Sequence, residues 1–179
     1  ELTRTVKHIT KIVLAYPGVK PSLEHGERTV FSYPPVKSLK ERIYQIYGKE
    51  RLSSLLPIED RDGLFRLTGY AYLPPSGRRD RRYQMFWLNQ RPIKDKTLQA
   101  ALNQAYRAFL EKDQFPEAYV FLDIPASEVD VNIHPTKTEV RFIDSKRLFR
   151  FLYGTLEQSL LKEMGIKEVP FSKQKPEKS

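Results

Sequence analysis

One lysine stands out by its setting. Lys137 lies in Val129-Asp130-Val131-Asn132-Ile133-His134-Pro135-Thr136-Lys137-Thr138-Glu139-Val140-Arg141-Phe142. Val129, Val131 and Ile133 alternate with Asp130 and Asn132, as in a half-buried strand. His134-Pro135 breaks that strand, because proline lacks a backbone donor and pushes its predecessor to extended geometry. A second alternation, Val140 and Phe142 against Glu139 and Arg141, follows. Lys137 therefore sits on a short, proline-stiffened loop, where an ammonium meets a phosphate as a point charge. Most lysines are simply solvated, and residue type alone favours that ordinary reading. His134 reads as a hydrogen-bonded loop histidine that, with Asn132 and Pro135, shapes the loop.

Two further basic groups could do electrostatic work. Arg78, Arg79, Arg81 and Arg82 share one loop, and Arg91, Lys94 and Lys96 follow one strand later. If residues 64–73 and 83–88 pair as strands, the two groups bound the same sheet at opposite ends of the second strand. Lys94 and Lys96 flank a helix start, an end that attracts anions. A solvated charge cluster is the competing reading, and for the loop arginines the two weigh equally.

The whole chain has the same bias. It has 179 residues, 40% of them hydrophobic, with 31 Lys+Arg against 22 Asp+Glu and a formal net charge of +9. That length makes one domain with a real core, or two small ones. The charge favours nucleic acid, anionic lipid or nucleotide phosphates as partner, although solubility alone would also account for it. The absence of Cys excludes disulfides, zinc ribbons and a thiol nucleophile. Three scattered histidines make no metal site. No apolar run approaches the ~18 residues of a membrane span. The start, Glu1-Leu2-Thr3-Arg4, is neither a signal peptide nor an initiating Met, so the chain is expected to be a piece of something larger.

The elements that must position these residues follow from periodicity. A first helix carries Val6, Ile9, Val13 and Tyr16 on one face and ends at Pro17-Gly18. Residues 19–25 and 28–33 read as a hairpin around His25-Gly26-Glu27. Ser38 and Glu41 form a capping box for a helix with Leu39, Ile43, Ile46 and Tyr47, stopped by Gly48. After a polar stretch, Leu64 to Leu73 is a strand in which Gly69 suggests a bulge. Residues 74–82 are loop, Tyr83 to Leu88 is strand, and a helix spans roughly 96–112. Tyr119 to Ile124 is apolar enough to be a central strand. Ser145 is expected to cap a final helix with a Leu148, Leu152, Leu156 and Leu160 stripe that stops near Gly165. The result is a two-layer α/β (α+β) sandwich, a mixed sheet with helices on one face.

The segment from Val129 to Phe142 resembles the signature Val-Asp-Val-Asn-Val-His-Pro-x-Lys-x-Glu-Val-Arg-Phe of the MutL family of DNA mismatch-repair proteins. Phe86-Trp87-Leu88-Asn89-Gln90-Arg91-Pro92-Ile93-Lys94-Asp95-Lys96 is similar to that family's Phe-Val-Asn-Gly-Arg-Pro-Val-basic-Asp-basic segment. Gln90 departs from it, since the family has Gly there, which implies a positive φ. The resemblance runs from Glu1 to about Gly165. It implies the transducer domain that follows a gyrase-like ATPase domain, with a ribosomal-protein-like fold and a left-handed βαβ crossover. Residues 1–17 would be a helix at the junction with that upstream domain, 18–165 the transducer domain, and 166–179 the start of a disordered linker.

By the same resemblance, Lys137, with Thr136 beside it, reaches the ATP γ-phosphate in the upstream domain. A DNA-contacting basic residue falls near the start of the helix at Lys96. The ATPase motifs themselves are absent, and so is a Gly-x-x-x-x-Gly-Lys-Ser/Thr loop, so the chain alone is not expected to hydrolyse ATP. ATP and Mg²⁺ would be held mainly by the upstream domain, with no cofactor or metal in this fragment. The implied partners are that domain, DNA without sequence preference, mismatch-recognition and other repair proteins, and a second copy in an ATP-dependent homodimer. The implied location is the bacterial cytoplasm, at the nucleoid. A nucleic-acid-binding module of ribosomal-protein type is the alternative.

Overall fold

The protein is represented by a computed structural model that describes residues 2–75, 77–130 and 140–166. Helix α1 spans Leu2–Ala15, and a hairpin of β1 (Ser22–His25) and β2 (Arg28–Ser32) follows, turning at Gly26 with φ 61°. Helix α2 is Leu39–Tyr47. The Ser38 hydroxyl accepts from the Glu41 amide (3.2 Å) and the Glu41 carboxylate accepts from the Lys37 amide (3.1 Å), which is the expected capping box reaching one residue further back. Gly48, with φ 84°, ends the helix.

The remaining elements build the sheet and its main covering layer. They are β3 (Leu55–Asp62), β4 (Phe65–Tyr72), β5 (Gly77–Arg78), β6 (Gln84–Leu88), β7 (Arg91–Ile93), α3 (Lys96–Ala105), β8 (Phe115–Pro116), β9 (Ala118–Asp123), β10 (Val129–Asp130), β11 (Arg141–Phe142) and α4 (Ser145–Glu163). The main sheet has the order β3-β4-β9-β6-β7, so β9 is the central strand the apolar run at 119–124 announced. All its ladders are antiparallel except β6–β9, which is parallel and is joined through β7 and α3.

Period-2 alternation assigns each side chain to a face. Leu67, Phe86, Leu88, Val120 and Leu122 point to the face covered by α3 and α4. There Leu98, Ala101 and Leu102 of α3 meet the expected stripe of Leu148, Leu152, Leu156 and Leu160, all fully buried. That is the two-layer sandwich. The helices are not confined to that face, however. Tyr72, Met85, Trp87 and Tyr119 point the other way, where Leu14 of α1 and Ile43 of α2 cover them. Consequently every residue of β6 is buried.

Several local expectations meet different physics. Strand β3 lies in the stretch that the sequence marks only as polar. It is an edge strand, the position where Pro57 costs no ladder bond and where charged residues can face water. Gly69 makes no bulge, since the ladders to β3 and β9 run through it in unbroken register. It is glycine because a β-carbon would lie 1.9 Å from the Tyr119 carbonyl oxygen. The cap of α4 is Asp144, which accepts from the Arg147 amide (2.8 Å), while Ser145 donates to the Phe142 carbonyl.

The segment between α1 and α2 is fastened by Arg42, which is buried without a carboxylate. Its guanidinium donates to the carbonyls of Pro17 and Val19 (both 2.6 Å) and to Gln45 (2.7 Å).

Candidate nucleic-acid interface

Lys137 and Thr136, with Asn132, His134 and Pro135, lie outside the described residues. The residues on either side of that segment form a stem. Strands β10 and β11 pair antiparallel, Val129 opposite Phe142 and Asp130 opposite Arg141. Val129 and Phe142 belong to the main core, and the Ile143 amide donates to the Glu128 carbonyl (3.0 Å) just outside the ladder. Two strands rooted in the core thus fix both ends of the segment that carries Lys137.

The loop arginines divide by what already holds them. Glu117 is 1% exposed, and its carboxylate accepts from Arg51, from Arg78 (3.1 Å) and from the Tyr119 hydroxyl (3.1 Å). A buried carboxylate needs such partners, because desolvation of an unpaired charge is prohibitive. The Arg51 guanidinium in turn lies over the rings of Tyr83 (4.9 Å), Tyr47 (5.4 Å) and Tyr72 (5.9 Å). Burial raises the Tyr47 and Tyr72 hydroxyls, and the Glu117 charge adds to it; Tyr72 reaches about 12. The charge of Arg78, though its side chain is 42% exposed, is therefore engaged by a buried carboxylate. Arg82 donates to Asp80 from its backbone amide, its Nε and its guanidinium (2.9, 2.9 and 2.7 Å), and these bonds hold Asp80 down at about 2. Arg81 sits 4.4 Å over the Phe115 ring. Arg79 is exposed.

The second group is more available. Arg91 is exposed and pairs with Leu88 in a tight hairpin whose two tip residues, Asn89 and Gln90, have φ 47° and 67°. These are the positive φ values of a type I′ turn, so the Gln at this family Gly position adopts the glycine-like conformation. Lys94 and Lys96 are exposed too. The helix end between them is not open to an anion as expected, because Asp95 caps it: its carboxylate accepts from the Leu98 amide (2.8 Å). The exposure of these lysines, rather than a helix terminus, is what recommends them for phosphate contact.

The two basic groups stand only in part at opposite ends of β6: β4 and β6 do not pair, since β9 lies between them, and Arg91, beside Leu88, holds the far end while Lys94 does not. Strand β7 runs back along β6, with Ile93 beside Phe86, and returns Lys94 towards the Gln84 end. There Lys94, Arg81 and Arg82 line one cavity together with Lys7 and Lys11 of α1. The sequence reading does not single out those two lysines. Their i, i+4 spacing, which places them on one helix face, is the signal that could have found them.

A mixed sheet packed against helices, with a cationic edge, defines an α/β domain. A family profile described as "DNA mismatch repair protein, C-terminal domain" matches residues 43–161, from α2 into α4. The MutL protein of Rickettsia felis is 34% identical over 171 residues, 93% of this chain and 28% of its own length. That of Opitutus terrae is 36% identical over 160 residues, 89% of the chain and 26% of its own length. The chain belongs to the MutL family of DNA mismatch-repair proteins, and it spans about a quarter of the length of these relatives. Among solved structures, the N-terminal domain of a DNA repair protein superposes with a TM-score of 0.76 at 21% identity, covering 90% of this chain and 54% of that one. The Aquifex aeolicus MutL ATPase domain complexed with ADP gives 0.52 at 14%, covering 84% and 47%. At those identities the likeness is one of fold.

Proposed function

We propose that this chain is the transducer domain of a MutL-type protein. In this reading Lys137 completes the ATP site of an upstream ATPase domain, its contact couples ATP binding to dimerisation, and the exposed basic residues meet DNA without reading its sequence. The observation that carries the reading is the stem of β10 and β11, whose core-buried Val129 and Phe142 open and close the family's signature segment.

The chemistry asked of Lys137 is modest. One ammonium, delivered only when the two domains dock, stabilises the negative charge that develops on the γ-phosphate and makes docking depend on that phosphate. In this reading the Mg²⁺ ligands come from the upstream domain. Phosphate contacts to DNA fall to Arg79, Arg91, Lys94 and Lys96, while Arg78 and Arg82 are largely committed to Glu117 and Asp80.

The test is steady-state ATP hydrolysis by a longer chain that includes the upstream domain, with Lys137→Ala. Removing a transition-state charge interaction lowers kcat by about a hundredfold or more with little change in KM. Unchanged kcat in a folded variant would remove Lys137 from the site.

A further inference from the structure

Between α1, the β1–β2 hairpin, α2 and the β6–β7 edge lies a cavity of about 620 Å³, within the ~300–1,000 Å³ range of small-ligand clefts. Two kinds of side chain in its lining bear on a ligand. Phe31, Tyr33 and Tyr47 contribute aromatic rings. Phe31 and Tyr33, two residues apart at the end of β2, stack on each other at 5.1 Å and 15°. Lys7, Lys11 and Lys94 contribute ammonium groups, and among the described residues none of the three forms a carboxylate ion pair within 4 Å, although Lys7 lies close enough to Asp80 for their charges to interact. The lining arginines differ, since Asp80 answers Arg82 and the Phe115 ring holds Arg81.

The lysines are under electrostatic tension. Lys11 is half-buried, and its pKa is pushed down first by that burial and then by the charge of Lys94. Two like charges sharing a partly desolvated space are unfavourable until an anion joins them. A cluster of lysines alone would suit any phosphate, and an aromatic wall alone would suit an apolar ligand. The combination selects a planar aromatic group that carries a phosphate.

We propose that this cavity binds a nucleotide unit, with its base against Phe31, Tyr33 and Tyr47 and its phosphate on Lys7, Lys11 and Lys94. The unit can come from a free nucleotide or from an unstacked base of a single strand, as in sequence-tolerant single-strand binding. A duplex keeps its bases stacked inside and cannot offer one. The cavity shares Lys94 with the duplex-binding surface described above, while Lys7, Lys11 and the aromatic wall belong to the cavity alone.

Isothermal titration of the 179-residue chain with dTMP, a short thymidine oligomer, inorganic phosphate and a blunt duplex tests this. The variants are Lys11→Met, which keeps the stem and removes the charge, and Phe31→Leu, which keeps bulk and removes the ring. The expected result is that dTMP or the oligomer binds more tightly than inorganic phosphate, and that each substitution weakens that binding by about tenfold or more, equivalent to about 1.4 kcal/mol. Binding of dTMP alone assigns the source to free nucleotide, and binding of the oligomer alone assigns it to a single strand; both support the site. Should either variant melt early, Lys94→Met, at an exposed position, replaces it. The proposal is overturned if neither ligand binds, if phosphate binds as well as dTMP, or if binding ignores the substitutions. Failure of the duplex alone counts against the DNA surface and leaves the cavity standing.

Discussion

Replacing Gln90 by Gly should make the protein more stable. Asn89 and Gln90 occupy the two tip positions of a type I′ hairpin, with φ 47° and 67°. Asn89 has local compensation: its side-chain amide donates to the Ile124 carbonyl (2.9 Å) and its side-chain oxygen accepts from the Ile124 amide (3.0 Å). Gln90 is exposed, and its side chain has no such bond among the described residues. For a residue with a β-carbon the left-handed conformation costs about 1–2 kcal/mol. Glycine removes that cost but returns about 0.4–1 kcal/mol through the greater freedom of the unfolded chain. The net gain is about 0.5–1 kcal/mol, or roughly 1–4 °C in melting temperature for a chain of this size. Urea unfolding reads it as a higher midpoint at constant slope. Gln90→Ala keeps the β-carbon and should give no gain, and Asn89→Ala should lose about 2 kcal/mol by orphaning both Ile124 groups. If Gln90→Gly leaves the midpoint unchanged, or if Ala stabilises as much as Gly, the strain argument is wrong.

Glu117→Ala strands Arg51, and should destabilise by about 3 kcal/mol; a denaturation midpoint within error of the parent would mean that the buried carboxylate is dispensable. Tyr47, Tyr72, Tyr106 and Tyr119 are all raised by burial, Tyr72 to about 12. Below pH ~10 folded and unfolded chains hold these protons equally; above it the unfolded chain loses them first. Stability should therefore fall from about pH 10 upward, by up to ~1.4 kcal/mol per pH unit for each tyrosine, and a urea midpoint that stays level between pH 9 and 11 contradicts the burial of the cluster. For duplex DNA, neutralising Arg91 and Lys96 together should reduce the salt slope of binding by ~0.9 for each phosphate they neutralise. Arg78→Ala should leave that slope alone, and an equal effect of the two changes would reverse the assignment.

What is legible in the sequence is what period and punctuation encode. The leucine stripe of α4, the capping box at Ser38, the Gly48 stop and the apolar β9 each follow from one local rule that tertiary structure does not override. Strand β3 is hidden because Pro57 and the charged run from Glu59 to Asp62 do not mark a strand, and only knowledge that it is an edge makes them admissible. Gly69 misleads because nothing local announces that the Tyr119 carbonyl will arrive against it. The same holds for the basic residues. Glu117 comes 39 residues after Arg78, so sequence offers no hint that one arginine is spent internally while Lys94 stays exposed. Lys7 and Lys11 join the basic group only through the return of β7 beside α1.

The single tryptophan of this chain is placed where it can report on one event. Trp87 is fully buried, stacks on Phe121 at 4.3 Å and 1°, and donates from its indole to the Lys11 carbonyl of α1 (2.9 Å). Its environment is made by α1 rather than by α3 and α4, which cover the other face. Its emission should therefore shift red when α1 leaves the sheet, even while the main core stays closed. Intrinsic fluorescence and far-ultraviolet circular dichroism, followed through one unfolding transition, would separate the loosening of α1 from the collapse of the sandwich without any label.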